Sequence, residues 1–277
     1  MAPSLPVTRL GVLGWPVAHS RSPAIQNAAL RAVGLTEWRY QLLPVPPELL
    51  AETVRALPGA GFRGANVTIP HKEAALSLAS EATPRARAIG AANTLNFDAA
   101  GRIAADNTDA PALIAALPFP PAGRTALVLG AGGSARAAVW ALLDAGAEEV
   151  YIWNRTPERA RRLSEQIGGT PVSGATTANL LVHCTSIGLG GGNMRRVGGE
   201  AGFKGLPVTA DDLGRYDCVV DLVYTDVETP LVQAARARSI EVVDGQELLV
   251  RQGALSFESF TGRAAPLEVM RSAARAR

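Results

Sequence analysis

The segment that most limits what this chain can become lies near its middle. Thr125-Ala126-Leu127-Val128-Leu129 is a short apolar run of strand character, followed at once by Gly130-Ala131-Gly132-Gly133-Ser134-Ala135 and an apolar helical stretch through Leu143. A strand, a glycine turn and a helix in that order form a dinucleotide-binding unit. Gly130 permits the tight turn and Gly132 lets the backbone approach a pyrophosphate. Small Ala135 lets helix and strand close, with the helix N-terminus facing the anion. A bare glycine turn is the competing reading, and the flanking strand and helix weigh against it.

The rest of the chain supplies neighbours for such a unit. Short runs of strand character at 9–13, 38–43, 64–69, 125–129, 150–154, 180–184, 218–223 and 240–243 alternate with helical segments, the pattern of parallel α/β sheets. Helix starts are marked by a capping residue and a proline at Ser22-Pro23, Thr83-Pro84, Thr156-Pro157 and Thr229-Pro230. With 277 residues, 47% of them hydrophobic, there is material for two domains of ordinary size. Pro118-Phe119-Pro120-Pro121-Ala122 cannot continue a helix and precedes a fresh strand, so a second domain starts there or just before, with the crossover near Asp109. The glycine-rich stretch 188–205, with Arg195, Arg196 and Lys204, is expected to form a mobile loop beside a strand end. From 245 onward the chain reads as helices with no strand after them, and spacing leaves open which domain they join.

Composition removes other classes. A formal net charge of +2 creates no field that implies nucleic acid or an anionic membrane. Apolar runs fall well short of the roughly 20 residues that a membrane span needs, and the first residues show no basic segment followed by an apolar core. The expected location is the cytoplasm. Cys184 and Cys218 form neither a CxxC pair nor a metal-ligand cluster and read as reduced thiols, with no metal expected.

About 24 residues after Gly130, where an NAD site places an acid on the ribose hydroxyls, the strand ends in Asn154-Arg155-Thr156. Arg155 can fork onto a 2′-phosphate, Thr156 can donate to it, and Arg159 lies one turn later on the same side. NADP is the cofactor this favours; two ordinary surface arginines are the alternative.

Candidate chemistry gathers elsewhere. Of 27 basic residues only Lys72 and Lys204 are lysines, and lysine, unlike arginine, can exchange its proton in a protein. Asn66-Val67-Thr68-Ile69-Pro70-His71-Lys72 puts Lys72 in a first helical turn, where the helix dipole opposes its charge by roughly 0.3–1 kcal/mol. Asp109 is the preferred carboxylate partner and Asp106 the second choice. Ser20 and Ser22 precede a helix start whose amides favour an anion such as a carboxylate; Ser22 as a simple cap is the competing reading. His19 and His71 read as structural or exposed more readily than as chemical groups. Gln252 shares an apolar helical stripe with Leu248, Leu249, Leu255 and Phe260, and needs either a ligand hydroxyl or a backbone carbonyl as partner.

Taken together, these residues resemble the shikimate dehydrogenase family over 14–262. The motifs that agree in order are Gly14-x-Pro16-x-x-His19-Ser20-x-Ser22-Pro23, Asn66 to Lys72, Ile89-Gly90-Ala91-Ala92-Asn93-Thr94, Asn107-Thr108-Asp109 and the glycine turn. After these come Asn154-Arg155-Thr156, Asp221-Leu222-Val223-Tyr224 with Thr229-Pro230, and 245–252. The resemblance implies a two-domain α/β protein. A substrate-binding α/β domain spans 1–108, a Rossmann-like, doubly wound NADP-binding domain spans 109–245, and helices 246–277 pack back on the first. It implies that Ser20, Ser22 and Tyr224 hold the substrate carboxylate and that Thr68, Asn93, Asp109 and Gln252 read ring hydroxyls. Lys72 and Asp109 would form the catalytic pair. NADP would rest on Gly130, Ala131, Gly132, Gly133, Ser134, Asn154, Arg155, Thr156, Arg159, Leu222 and Gly245.

The implied reaction is NADPH-dependent, reversible reduction of 3-dehydroshikimate to shikimate in aromatic amino-acid biosynthesis, by a monomer or homodimer acting on small molecules. The alternatives are an NAD-preferring quinate/shikimate dehydrogenase and a non-catalytic dinucleotide sensor. The chain departs from the family pattern at Gln26, His183, Leu189, Asp226 and Phe260, and His183 and Leu189 bear on nicotinamide-side contacts.

Overall fold

A computed structural model describes residues 7–188, 202–225 and 227–276, so the expected loop at 188–205 and the departures Leu189 and Asp226 lie wholly or mostly outside the described residues. The strands expected from the alternating pattern are all present, with ends displaced by at most two residues. The described chain divides into two compact units, one running to Thr108 and resuming at Leu249–Ala276, the other spanning Asp109–Leu248.

In the first unit β1 (Thr8–Gly14), α1 (Ser22–Ala32), β2 (Trp38–Pro44), α2 (Leu50–Ala56), β3 (Phe62–Val67) and α3 (Lys72–Ser77) alternate as parallel crossovers. β4 (Glu81–Ala82), α4 (Pro84–Ile89), β5 (Thr94–Phe97) and β6 (Ile103–Asp106) complete a sheet of order β2-β1-β3-β5-β6-β4. The antiparallel hairpin of β5 and β6 was not among the strands expected from the sequence, because each strand is only four residues long. One face packs under α2 and α3 through Leu50, Val54, Phe62, Ala65, Val67, Ala75 and Leu95.

The second unit holds α5 (Asp109–Ala116), β7 (Thr125–Leu129), α6 (Gly133–Asp144), β8 (Glu149–Trp153), α7 (Pro157–Ile167) and β9 (Thr170–Pro171). β10 (Leu180–His183), β11 (Cys218–Asp221), α8 (Pro230–Arg236) and β12 (Glu241–Val243) follow. All pairings are parallel, in the order β12-β11-β10-β7-β8-β9, so the strand order reverses direction between β7 and β10. This is a doubly wound, Rossmann-like sheet. Successive residues alternate between two cores: Ala126, Val128, Leu180 and Val182 face α5, α6 and α7, while Leu127, Leu129 and Leu181 face α8. Both faces are covered, which is why the strands read as unbroken apolar runs.

α9 (Gly245–Thr261) and α10 (Leu267–Arg275) close the chain. Phe260 of α9 lies so close to Gly64 of β3 that a Cβ there would meet its ring at 2.4 Å. Buried Gln26 donates to the Gly253 carbonyl at 2.8 Å, and α10 packs on α1. From Leu249 onward the terminal helices therefore belong to the first unit, a matter spacing had left open, while the first turn of α9 belongs to the second. No helix among the described residues is long and apolar enough to cross a membrane.

Candidate active site

The topology of the first sheet collects the candidate residues at one end. β1, β3 and β6 run parallel and β5 antiparallel, so the segments after β1, β3 and β6 meet the segment before β5. Those segments carry Ser20 and Ser22, Thr68 and Lys72, Asn107 and Thr108, and Asn93. Backbone hydrogen bonds tie them together: Trp15 N–H to Ile69 O at 3.0 Å, Val67 N–H to Asn93 O at 2.8 Å, Ala92 N–H to Lys72 O at 2.8 Å and Asn93 N–H to Asp106 O at 3.1 Å. Gly14 is required at the β1 exit, since a Cβ would lie 2.5 Å from Thr68 Cγ2.

Ser22 corrects one expectation. It is the first residue of α1, Arg21 occupies the cap position, and no side chain caps the helix. The Ser20 hydroxyl instead donates to Ser22 Oγ at 3.2 Å and accepts the Ser22 N–H at 3.3 Å. The guanidinium of Arg21 turns away, donating from Nη1 to the Ala274 carbonyl at 2.9 Å and the Ala276 carbonyl at 2.7 Å. The loop carrying the serine pair is thereby tied to the end of α10.

Lys72 is half-buried at the first position of α3, a helix of only six residues. His71 before it is buried, with Nε2 2.7 Å from the Val45 carbonyl, and its role is to anchor the turn. His19 is exposed. Asp106 is engaged elsewhere: Arg85 binds it through two nitrogens at 3.0 and 2.5 Å, while the Thr83 hydroxyl and Asn107 N–H each donate at 2.7 Å. Burial works to raise its pKa, but the Arg85 hydrogen bond, helped by Thr83 and Asn107, holds the carboxyl below the usual value. Asp109 starts α5, half-buried, in the second unit, and Tyr224 lies half-buried after β11 in that unit too.

Asn93 and Gln252 rest on a buried polar network the sequence did not announce. Asn93 Oδ1 accepts Thr108 N–H at 2.8 Å, and its Nδ2 donates to Thr108 Oγ1 at 2.9 Å and to Gln252 Oε1 at 3.4 Å. Gln252 Nε2 donates to Leu249 O at 2.8 Å, so the backbone-carbonyl option is realised for that atom. Ser256 Oγ, fully buried, lies within 2.8–3.1 Å of Asn66, Thr94, Thr108 and the Gln252 carbonyl, and Tyr40 donates to Asn66 Oδ1 at 2.8 Å. Polar residues at Asn66, Asn93, Thr94 and Thr108 inside quoted motifs were the only available signal; Ser256 had none.

In the second unit Gly130 has φ +124°, and its N–H reaches Trp153 O at 2.7 Å. A Cβ at Gly130 would lie 3.1 Å from Cys184 O, whereas one at Gly132 would meet nothing within 4 Å. Space therefore opens over the start of α6, whose cap residue Gly132 offers no side chain to the first-turn amides. Half-buried Ala131, Gly133 and Ser134 line that turn. Asn154 Nδ2 donates to Thr156 O at 2.9 Å, shaping the β8 exit. Thr156 occupies the cap position before α7 without the side-chain cap expected of it, and Arg155 and Arg159 are exposed, forming no ion pair among the described residues. At the β11 exit a Cβ on Gly245 would approach Val223 O to 2.6 Å and Leu222 O to 3.0 Å, so Leu222 and Gly245 lie together. Cys184 and Cys218 are free, and burial pushes the Cys218 thiol up to about 12, which keeps it protonated.

Comparison with known proteins places this geometry in context. Family models match as the shikimate dehydrogenase substrate binding domain over residues 12–95, as shikimate / quinate 5-dehydrogenase over 115–186, and as the shikimate 5′-dehydrogenase C-terminal domain over 245–275. The shikimate dehydrogenase (NADP(+)) of Paracoccus denitrificans is 46% identical over 266 residues, 91% of this chain and 90% of that one. That of Methanopyrus kandleri is 40% identical over 282 residues, covering 95% and 93%. The crystal structure of shikimate 5-dehydrogenase from Thermus thermophilus in complex with NADP(H) and shikimate superposes with a TM-score of 0.84 at 40% identity, over 97% of this chain and 98% of that chain. At such identity across nearly the full length of both partners, this chain belongs to the shikimate dehydrogenase family.

Proposed function

We propose that this protein catalyses the NADPH-dependent, reversible reduction of 3-dehydroshikimate to shikimate, in the cytoplasm and as a step of aromatic amino-acid biosynthesis. The observation that carries the reading is the gathering of Ser20, Ser22, Thr68, Lys72 and Asn93 at one sheet end, with one of the chain's two lysines among the hydroxyls and amides. The serine hydroxyls, with Tyr224, bind the substrate carboxylate. Thr68, Asn93, Asp109 and Gln252 orient the ring through its hydroxyls.

The dinucleotide fits the second unit, because the space over Gly132 and the uncapped first turn of α6 suit a pyrophosphate. Residues 130–134 would hold that group, Arg155, Thr156 and Arg159 the 2′-phosphate, Asn154 the adjoining ribose edge, and Leu222 with Gly245 the nicotinamide side. When bound, NADPH supplies the hydride that the carbonyl carbon accepts. Lys72 Nζ gives a proton to the carbonyl oxygen as the hydroxyl forms, and takes it back in the reverse direction. Asp109 is its carboxylate partner in this step. Holding the proton donor at the reacting oxygen is the protein's share of the chemistry.

The test is a nicotinamide absorbance assay on purified protein, with shikimate and quinate each run against NADP and NAD. Turnover concentrated in the shikimate and NADP combination supports the proposal. Dominant turnover with quinate or NAD assigns the broader-specificity reaction, and silence in all four with NADP still binding assigns a sensor.

A further inference from the structure

The sheet of the second unit contains a buried acid and base that the proposed chemistry does not use. His183 ends β10 and Asp221 ends β11, side by side in the parallel register, with relative exposures of 2% and 0%. His183 Nδ1 lies 2.9 Å from Asp221 Oδ1, and its Nε2 lies 2.6 Å from Thr185 Oγ1. The carboxylate only accepts, so Nδ1 donates to it, while Nε2 shares a hydrogen bond with the Thr185 hydroxyl. Thr185 Oγ1 in turn accepts Ile187 N–H at 3.1 Å. On the other side Asp221 Oδ1 also accepts Val223 N–H at 3.0 Å, and Oδ2 accepts the Thr229 hydroxyl at 2.5 Å. Thr229 then caps α8 by accepting Val232 N–H at 3.2 Å.

Every bond in this chain ends on a segment that leaves the carboxyl edge of the sheet. Thr185 and Ile187 belong to the exit of β10, Val223 to the exit of β11. Cys184, between His183 and Thr185, abuts the glycine turn, since its carbonyl would sit 3.1 Å from a Cβ on Gly130. Val223 abuts Gly245 in the same way, at 2.6 Å. The pair thus braces a contiguous rim running from Gly130 through 184–187 and 222–223 to Gly245, beside the point between β7 and β10 where the strand order reverses. In open α/β sheets that crevice is where the ligand lies. A buried polar network that is fully satisfied holds its members in one geometry, whereas losing a member leaves a buried donor or acceptor unpaired.

We propose that His183 and Asp221 are positioning residues for the dinucleotide, acting through Thr185 and Val223 to hold the two loops that flank its nicotinamide end. The proposal rests on the NADP-dependent reading above.

The experiment compares wild-type enzyme with His183→Ala, Thr185→Val and Thr185→Ser. KM values for NADP and for shikimate, kcat, and NADPH binding by fluorescence are measured on protein shown by circular dichroism to be folded. His183→Ala should raise the NADP KM and the NADPH Kd about tenfold, the loss expected for one hydrogen bond in a charged network, with the shikimate KM and kcat within twofold. Thr185→Val should move the same two quantities about threefold, and Thr185→Ser, which keeps the hydroxyl, should restore them. An NADP KM within twofold of wild type in folded His183→Ala, or a parallel rise in the shikimate KM, overturns the inference. If His183→Ala does not fold, the contrast between Thr185→Val and Thr185→Ser decides by the same criteria. Wild-type enzyme without NADP-dependent turnover or NADPH binding overturns the functional reading and the inference with it, whereas an active wild type with unmoved variants overturns the inference alone.

Discussion

Two glycines two residues apart should respond to the same substitution in opposite ways. Gly130 sits at φ +124°, and an added Cβ would press on Cys184 O at 3.1 Å. Gly132 sits at φ −98° and ψ −173°, ordinary extended backbone, with nothing within 4 Å of an added Cβ. Gly130→Ala therefore forces a side chain into a region that costs about 1–3 kcal/mol, which lowers Tm by roughly 3–10 °C in a domain of this size. Gly132→Ala meets no strain, and by narrowing the unfolded ensemble it stabilises by about 0.4–1 kcal/mol, a rise of roughly 1–4 °C. Its methyl, however, projects into the space through which a pyrophosphate must approach the α6 amides. Losing even one charge-assisted hydrogen bond there costs about 1.5–3 kcal/mol, so the NADPH Kd should rise about 10- to 100-fold. Thermal melts of ligand-free protein and a fluorescence titration with NADPH separate the two effects. A destabilised Gly132→Ala would refute the backbone argument, and one that binds NADPH within twofold of wild type would refute the placement of the cofactor over this turn.

Other perturbations test the remaining parts. Lys72→Ala should lower kcat by about 10²- to 10⁴-fold with a smaller change in KM, and an unchanged kcat removes Lys72 from the proton step. Arg155→Ala should raise the NADP KM roughly tenfold and leave NAD turnover nearly unaltered; equal losses with both cofactors would show that Arg155 does not read the 2′-phosphate. The Asp106 carboxyl titrates lower in the folded protein than the roughly 3.9 of an unfolded chain. Its bond to Arg85 therefore contributes stability that is fully present above about pH 5 and lost as pH falls through the folded value. Arg85→Ala should lower Tm at pH 7 by more than at pH 3, and an equal drop at both would show that the carboxylate charge is not what Arg85 stabilises.

The two candidate carboxylates show where local reading stopped. Asp106 and Asp109 are three residues apart in one motif, and nothing in their spacing says that an arginine 21 positions earlier is brought against Asp106 by β6 and α4. Ser22 is similar. A serine before a proline reads as a cap, but the helix begins one residue sooner because Ser20 supplies the hydrogen bond to its N–H. At Thr83 and Thr229 the same pattern does produce a capping hydroxyl, which donates its own proton to Asp106 or Asp221 and accepts the helix N–H on the same oxygen.

What the sequence by itself determined was everything set over a few residues: the strand, glycine turn and helix at 125–143, the parallel α/β alternation, the arginine at the β8 exit, and the order of motifs that identifies the family. Those signals are legible because backbone sterics and side-chain burial with period 2 or 3.6 act locally. Only the tertiary structure decided the return of α9 and α10 to the first sheet, the Ser256 network joining residues up to 190 positions apart, and the bond of His183 to Asp221 across two strands. Each depends on strand register and on which polar atoms are left in need of partners once the cores close, and a linear pattern carries neither.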